Sequence, residues 1–192
     1  MKIESKLCEE QINALNQLNS GENIFLTGQA GSGKSFLVRE FIKEIGSKNF
    51  PILASTGAAA VIIGGRTFHS FFGLGLLEGG REKVKEKAFK DGKLKKRLSQ
   101  IEGIIIDEIS MISGEVLSIA EEIARHHRGN QHPFGGLRVI AIGDFAQLPP
   151  ITKTGQRDWC FKHEVWQQIQ FQIAFLKNNH RTEDLDFLKV LN

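Results

Sequence analysis

Apolar residues along the chain switch between a helical period and short unbroken runs, and the order of these segments predicts the architecture. Residues 8–19 carry Ile12, Leu15 and Leu18 on one helical face, and Asn19-Ser20-Gly21 ends that face. A strand is expected at 23–27, followed by a helix that runs to Ile45 and stops at Gly46. A second strand is expected at 51–54 and a short helix at 58–63, closed by Gly64-Gly65. Residues 66–80, rich in Gly and Phe, read as irregular, and two short basic helices follow. Next come an apolar run at 104–106, a helix over 114–128 with Val116, Ile119, Ala120 and Ile123 inward, and a strand at 137–142. A helix at 163–169 and a strand at 171–176 complete the alternation. Residues 183–191 begin another helix with no end signal, as expected of a domain cut from a longer chain. Strands this uniformly apolar must be covered on both faces, so the expected fold class is α/β with a doubly wound, mainly parallel sheet.

Composition narrows the class without naming a function. The 192 residues suffice for one large α/β domain, and 41% apolar with 24% charged residues is ordinary for a globular chain. No apolar run reaches bilayer length, and the polar start Met1-Lys2-Ile3-Glu4 lacks a secretory apolar core. Cys8 and Cys160 form neither a CxxC nor a zinc pattern, so a reducing, intracellular compartment is expected. The net charge of +3 is uneven: residues 81–97 hold nine basic and three acidic side chains, a local +6 that leaves −3 for the rest. That segment is either a polyanion-binding patch or a solvated helix pair.

The candidate chemistry starts at Gly28-Gln29-Ala30-Gly31-Ser32-Gly33-Lys34-Ser35, a complete phosphate-binding loop between an apolar run and a helix. Glycines let backbone amides turn toward phosphate oxygens, and the following helix points its positive end at the same anion. Lys34 would reach the β- and γ-phosphates, and the Ser35 hydroxyl would sit on Mg²⁺. Asp107-Glu108 end the isoleucine run, where a strand delivers carboxylates beside the loop. Asp107 would hold Mg²⁺ through its waters, and Glu108 would activate the attacking water. In the turn Gly143 to Pro150, Gln147 suits a γ-phosphate sensor and Asp144 the same network, although a purely structural turn fits as well. Gln11 is either an adenine contact or a surface amide, and Arg181 either an arginine finger or a surface guanidinium.

Six ordered blocks carry a family resemblance. They are Leu7 to Gln11, the phosphate loop, Ala54 to Ala60, Gly64 to Gly73, Ile106 to Met111, and Gly143 to Pro150. Together they resemble the helicase motifs of the PIF-one-type DNA helicases, superfamily one, the RecD-like branch. The segment Ile123-Ala124-Arg125 to Arg128 with Pro133-Phe134-Gly135-Gly136 is similar to that family's own signature. The resemblance implies a RecA-like P-loop domain over 1–192, with a small basic wedge-like insert at about 74–100 and a second RecA-like half absent. It implies that Gln11, Gly28, Ala30, Gly31, Ser32, Gly33, Lys34 and Ser35 bind ATP. It implies that Ser35 and Asp107 hold Mg²⁺, and that Lys34, Asp107, Glu108, Gln147 and Arg181 serve catalysis. Thr56, Gly57, Thr67 and His69 would grip single-stranded DNA, and Phe68, Phe71 and Phe72 either stack on bases or pack in the core.

The implied parent is an ATP-dependent 5′–3′ DNA helicase acting on single-stranded and forked or structured DNA. It would be monomeric and intracellular with no membrane partner: cytoplasmic in a bacterium, nuclear or mitochondrial in a eukaryote. The fragment alone is expected to bind nucleotide without unwinding. The competing expectations are a protein-remodelling RecA- or AAA-type ATPase and a non-catalytic nucleic-acid-binding module.

Overall fold

The structure, a computed structural model, describes residues 7–46, 48–75, 77, 79–150 and 157–177. Its strands are β1 (Ile24–Gly28), β2 (Ile52–Ala54), β3 (Arg66–Thr67), β4 (Gly103–Asp107), β5 (Arg138–Gly143) and β6 (Gln172–Leu176). They form one sheet in the order β3-β2-β4-β5-β1-β6. Every pairing in it is parallel, with Thr27 level with Gly143 and Ala54 level with Asp107. The doubly wound α/β reading therefore holds.

Parallel strands need crossovers, and the helices supply them on both faces. On one face lie α1 (Glu9–Leu18) and α2 (Lys34–Ile45), whose Leu15, Leu18, Leu37 and Phe41 pack with Ile24, Leu26, Ile105, Ile140 and Ile142. On the other lie α4 (Phe68–Phe72), α5 (Gly80–Phe89), α6 (Gly92–Ser99), α7 (Gly114–Arg128) and α8 (Glu164–Ile169). Their core is continuous with Phe25, Ile104, Ile106, Val139 and Ala141. Consecutive residues of β4 thus enter opposite cores, which is why its sequence is an unbroken isoleucine run rather than an alternating one. Each such buried side chain contributes about 1.5–3 kcal/mol, so the sheet's centre is fixed by burial alone. The short helix α3 (Gly57–Ile63) joins β2 to β3.

Two sequence expectations change. Of residues 66–80, expected as irregular, 66–72 are regular: Thr67 ends β3 and caps α4 by accepting the Ser70 amide at 3.1 Å, and Gly73 closes the helix at φ +70°. Phe68, Phe71 and Phe72 are spaced as one helical face and are at most 2% exposed, so they are core and not stacking platforms. Within the basic wedge-like insert expected at about 74–100, residues 80–99 form the two helices α5 and α6 of the connection from β3 to β4. Their Val84, Ala88, Leu94 and Leu98 are buried in the main core.

The family-like signature proves to be a clamp. Arg128 at the end of α7 donates to the carbonyls of Gly135 (2.7 Å) and Leu98 (2.6 Å). Buried Glu121, paired with Arg125 at 2.8 Å, accepts the Phe134 amide at 3.3 Å. Cys160 is fully buried, its Sγ lies 3.8 Å from the Ile109 carbonyl, and burial pushes its thiol up to about 12. A thiol this poorly ionised is inert. Alkylation of the native chain is therefore expected at Cys8 alone, with Cys160 labelled only after denaturation. Equal native labelling of both, read by peptide mapping, would show that the 157–163 segment does not pack on Ile109. Among the described residues no helix is long and apolar enough to cross a membrane.

Candidate functional site

The candidate site forms where three neighbouring strands release their chains at one sheet edge. β1 ends in the phosphate loop, β4 in Asp107-Glu108 and β5 in the turn that carries Asp144 and Gln147. Gly28, at φ +148°, is the loop's hinge: a Cβ there would collide with the carbonyl oxygen of Leu176 on β6. Gly31 and Gly33 take φ +83° and +93°, the left-handed conformation that turns amides inward. The helix α2 that follows has no side-chain cap and no acidic residue in its first turn. By contrast, α3, α6 and α7 are capped by Thr56, Asp91 and Ser113, and α1 opens with Glu9 and Glu10. The uncapped N-terminus of this twelve-residue helix leaves its orphan amides and dipole to an anion.

Ala30, Gly31, Ser32, Gly33, Lys34, Ser35, Glu108 and Gln147 line one cavity of about 460 Å³. The Lys34 ammonium donates to the carbonyls of Gly28 (2.6 Å) and Gln29 (2.9 Å), which hold it along the loop. Burial pushes it down from the ordinary lysine value, and Asp144, Glu108 and Asp107 pull it back. Burial raises the Asp107 carboxyl, against the Glu108 amide that donates to it at 3.1 Å and the charge of Lys34. Glu108 is raised by burial and by Asp107, with Lys34 opposing and Asp144 adding. Two half-buried carboxylates facing one lysine leave net negative charge at the strand end, a setting that favours a cation. The Ser32 hydroxyl is fully buried and has no hydrogen-bond partner among the described residues.

The β5 turn is built by Asp144. Its carboxylate accepts the Ala146 amide at 3.0 Å and the Gln147 side-chain amide at 3.2 Å, and its carbonyl accepts the Gln147 amide at 3.0 Å. Asp144 thus holds Gln147 over the cavity. Behind the turn, Phe145 meets Phe25, Phe161 and Trp166 with ring centroids 5.4, 4.8 and 5.5 Å away. This aromatic support was not singled out in the sequence, where Phe145 is a lone aromatic between Asp144 and Ala146.

The other expected site residues fall elsewhere. Gln11 is 6% exposed and does not line the cavity; its Oε1 accepts the Cys8 amide at 3.2 Å, forming a capping box despite the cysteine. Thr56, Gly57, Thr67 and His69 lie beyond β4, at the ends of β2 and β3 on the same sheet edge. The Thr56 hydroxyl accepts the Ala59 amide at 3.2 Å, so both threonines serve as helix caps. His69 is lowered by burial and is neutral at pH 7. Arg181 and the helix expected at 183–191 lie outside the described residues. Glu10 was missed: its carboxylate accepts the Lys177 amide at 2.7 Å and ties the end of β6 to α1. No local pattern could reveal a contact between positions so distant in sequence.

A phosphate loop on β1, an acidic strand end on β4 and a polar turn on the intervening β5 define a P-loop nucleotide-binding domain of the RecA-like class. A family model described as PIF1-like helicase matches residues 4–188, and the chain belongs to that family. The ATP-dependent DNA helicase Pif1 of Bdellovibrio bacteriovorus is 59% identical over 189 residues, covering 98% of this chain and 43% of the relative. The crystal structure of Pif1 helicase from Candida albicans superposes with a TM-score of 0.87 at 40% identity, over 95% of this chain and 42% of that one. Pif1 helicase from Bacteroides in complex with ADP-AlF3 and single-stranded DNA superposes with a TM-score of 0.82 at 32% identity, over 96% and 45%. The chain thus spans less than half the length of these relatives.

Proposed function

We propose that this chain is the nucleotide-binding motor domain of an ATP-dependent 5′–3′ DNA helicase, hydrolysing ATP to move along single-stranded DNA. The observation that carries the proposal is the convergence of Lys34, Glu108 and Gln147, from three strands, on one cavity. The Bacteroides relative, crystallised with a nucleotide analogue and single-stranded DNA, supports the same partners here.

In this reading the amides of 30–33 and Lys34 hold the phosphates, and Glu108 accepts the proton of the attacking water. Gln147, oriented by Asp144, senses the γ-phosphate. Arg181 supplies a further γ-phosphate contact, and Gln11 the base contact once its amide leaves the helix cap. Ser35 and Asp107 offer a hydroxyl and a carboxylate, the hard oxygens that Mg²⁺ takes alongside substrate phosphates, and the raised Asp107 carboxyl is one a cation would stabilise. The ion would neutralise charge developing on those phosphates. Thr56, Gly57, Thr67 and His69 would contact the DNA backbone, with His69 as an uncharged donor.

Phosphate release by the full-length protein is expected to rise severalfold or more on adding oligo-dT. A rate indifferent to oligo-dT would favour a protein-remodelling ATPase on the same fold.

A further inference from the structure

The hydrogen bonds of the turn that carries Gln147 fix its shape and not its tilt. Among the described residues, those made by its side chains run within it, from the Ala146 and Gln147 amides to the Asp144 carboxylate. Bonds of this kind set the curvature of a turn without tying it to the rest of the domain. Leu148, just beyond, is 68% exposed and packs little. The side chain that joins the turn to the domain is Phe145, half-buried beneath it.

The Phe145 ring enters a socket of four others. Trp159 joins Phe25, Phe161 and Trp166 there, 5.8 Å away between centroids. Trp159, Phe161 and Trp166 all meet the ring edge to face. Such contacts are directional, so three of them hold a ring in orientation as well as in place. The socket is itself tied down. Trp159 bridges Ser113 in antiparallel pairing, and the Asp158 carbonyl accepts the Gly114 amide at 3.1 Å. The Asp158 carboxylate accepts the Glu115 amide at 3.0 Å and bonds the His163 ring. That ring lies so close to Gly114 that a Cβ there would overlap it. Residues 158–163 are thereby fastened to the start of α7. Cys160, between Trp159 and Phe161, is buried against the carbonyl of Ile109, the residue after Glu108. One short segment thus packs both on the turn of Gln147 and beside Glu108.

We infer that Phe145 is a positioning residue for Gln147: its seat among Phe25, Trp159, Phe161 and Trp166 sets where the Gln147 amide stands over the nucleotide cavity. Phe145 does not line that cavity, so it acts through Gln147 and not on the nucleotide. The inference rests on the proposed reading of Gln147 as the γ-phosphate sensor and is independent of DNA. It adds the 158–163 segment, which carries no group that touches phosphate, to the parts that set the rate of hydrolysis.

The test is a double-mutant cycle in the full-length protein, with single-turnover phosphate release read against nucleotide affinity. Gln147→Ala and Phe145→Ala are each expected to slow release about tenfold to a hundredfold, the cost of misplacing a group by about 1 Å, while affinity moves less than about threefold. The double variant should be no slower than Gln147→Ala alone, because the ring then has nothing left to place. Phe161→Ala, at a position 37% exposed and outside the turn, should fold normally, slow release severalfold, and lose that effect beside Gln147→Ala. The two tryptophans of this chain, Trp159 and Trp166, both face Phe145, so Phe145→Ala should also move the chain's tryptophan emission to longer wavelength. Unchanged emission overturns the inference, because the ring would not be seated in the socket. Losses that multiply in the double variant overturn it too and leave Phe145 as packing. So does wild-type release by Phe145→Ala beside a slow Gln147→Ala. Wild-type release by Gln147→Ala removes the sensor reading and the inference with it, so the Gln147 variant alone tells the two failures apart.

Discussion

Glu108→Gln in the full-length protein is expected to lower the rate of phosphate release by about 10²–10⁴-fold while nucleotide still binds. The substitution keeps shape and volume and removes only the ability to accept a proton. Glu108 sits at φ +54°, in the left-handed region, where the chain leaves β4. A non-glycine residue held there costs about 1–2 kcal/mol, a strain of the kind that clusters at functional positions. The strain is common to Glu and Gln, so the variant isolates the carboxylate. Burial and the neighbouring Asp107 already disfavour the charge at this position. Removing it relieves repulsion, so nucleotide affinity should hold or tighten. Fluorescent-nucleotide titration and single-turnover phosphate release separate the two effects. Release at the wild-type rate would remove Glu108 from the base role, and loss of binding together with release would make it a structural element of the loop.

The sequence was most legible where burial on both sides forces unbroken apolar runs. Ile104-Ile105-Ile106 could be little but a central strand, and the carboxylates after it then had to emerge beside the phosphate loop. The loop itself needed no tertiary context, because glycine spacing and the apolar flanks state its geometry. Short elements were less legible. The five residues of α4 give one apolar face too brief to show a period, so the helix that Thr67 caps was not foreseen. In the basic connection from β3 to β4 the lysines outnumber the four buried apolar residues, so its packing into the main core was not legible in the sequence. Contacts across the fold were invisible: Glu10 meets Lys177, and Arg128 meets Leu98 and Gly135, through geometry that exists only after the sheet closes. Gln11 shows the limit of the residue-type argument, since the amide suited to adenine is also suited to its own helix cap.

The clamp around Phe134 makes the sharpest stability prediction, because two effects of opposite sign meet at one residue. The Phe134 ring is fully buried, 6.2 Å between centroids from Phe72, and its amide is held by Glu121. Its backbone is at φ +52°, where a Cβ is costly. Truncation to alanine removes the ring and keeps the backbone strain, so Phe134→Ala should destabilise by about 3–5 kcal/mol. Phe134→Gly removes the same ring and releases the strain, so it should be milder than alanine by about 1–2 kcal/mol. Ordinarily glycine is the worse replacement, through its larger loss of backbone entropy on folding. The inverted order is therefore diagnostic of the left-handed conformation. Urea titrations of the two variants test it: a glycine variant less stable than alanine would mean that Phe134 is not held at positive φ. A cost under about 1 kcal/mol for both would mean that the ring is not buried between α7 and α4.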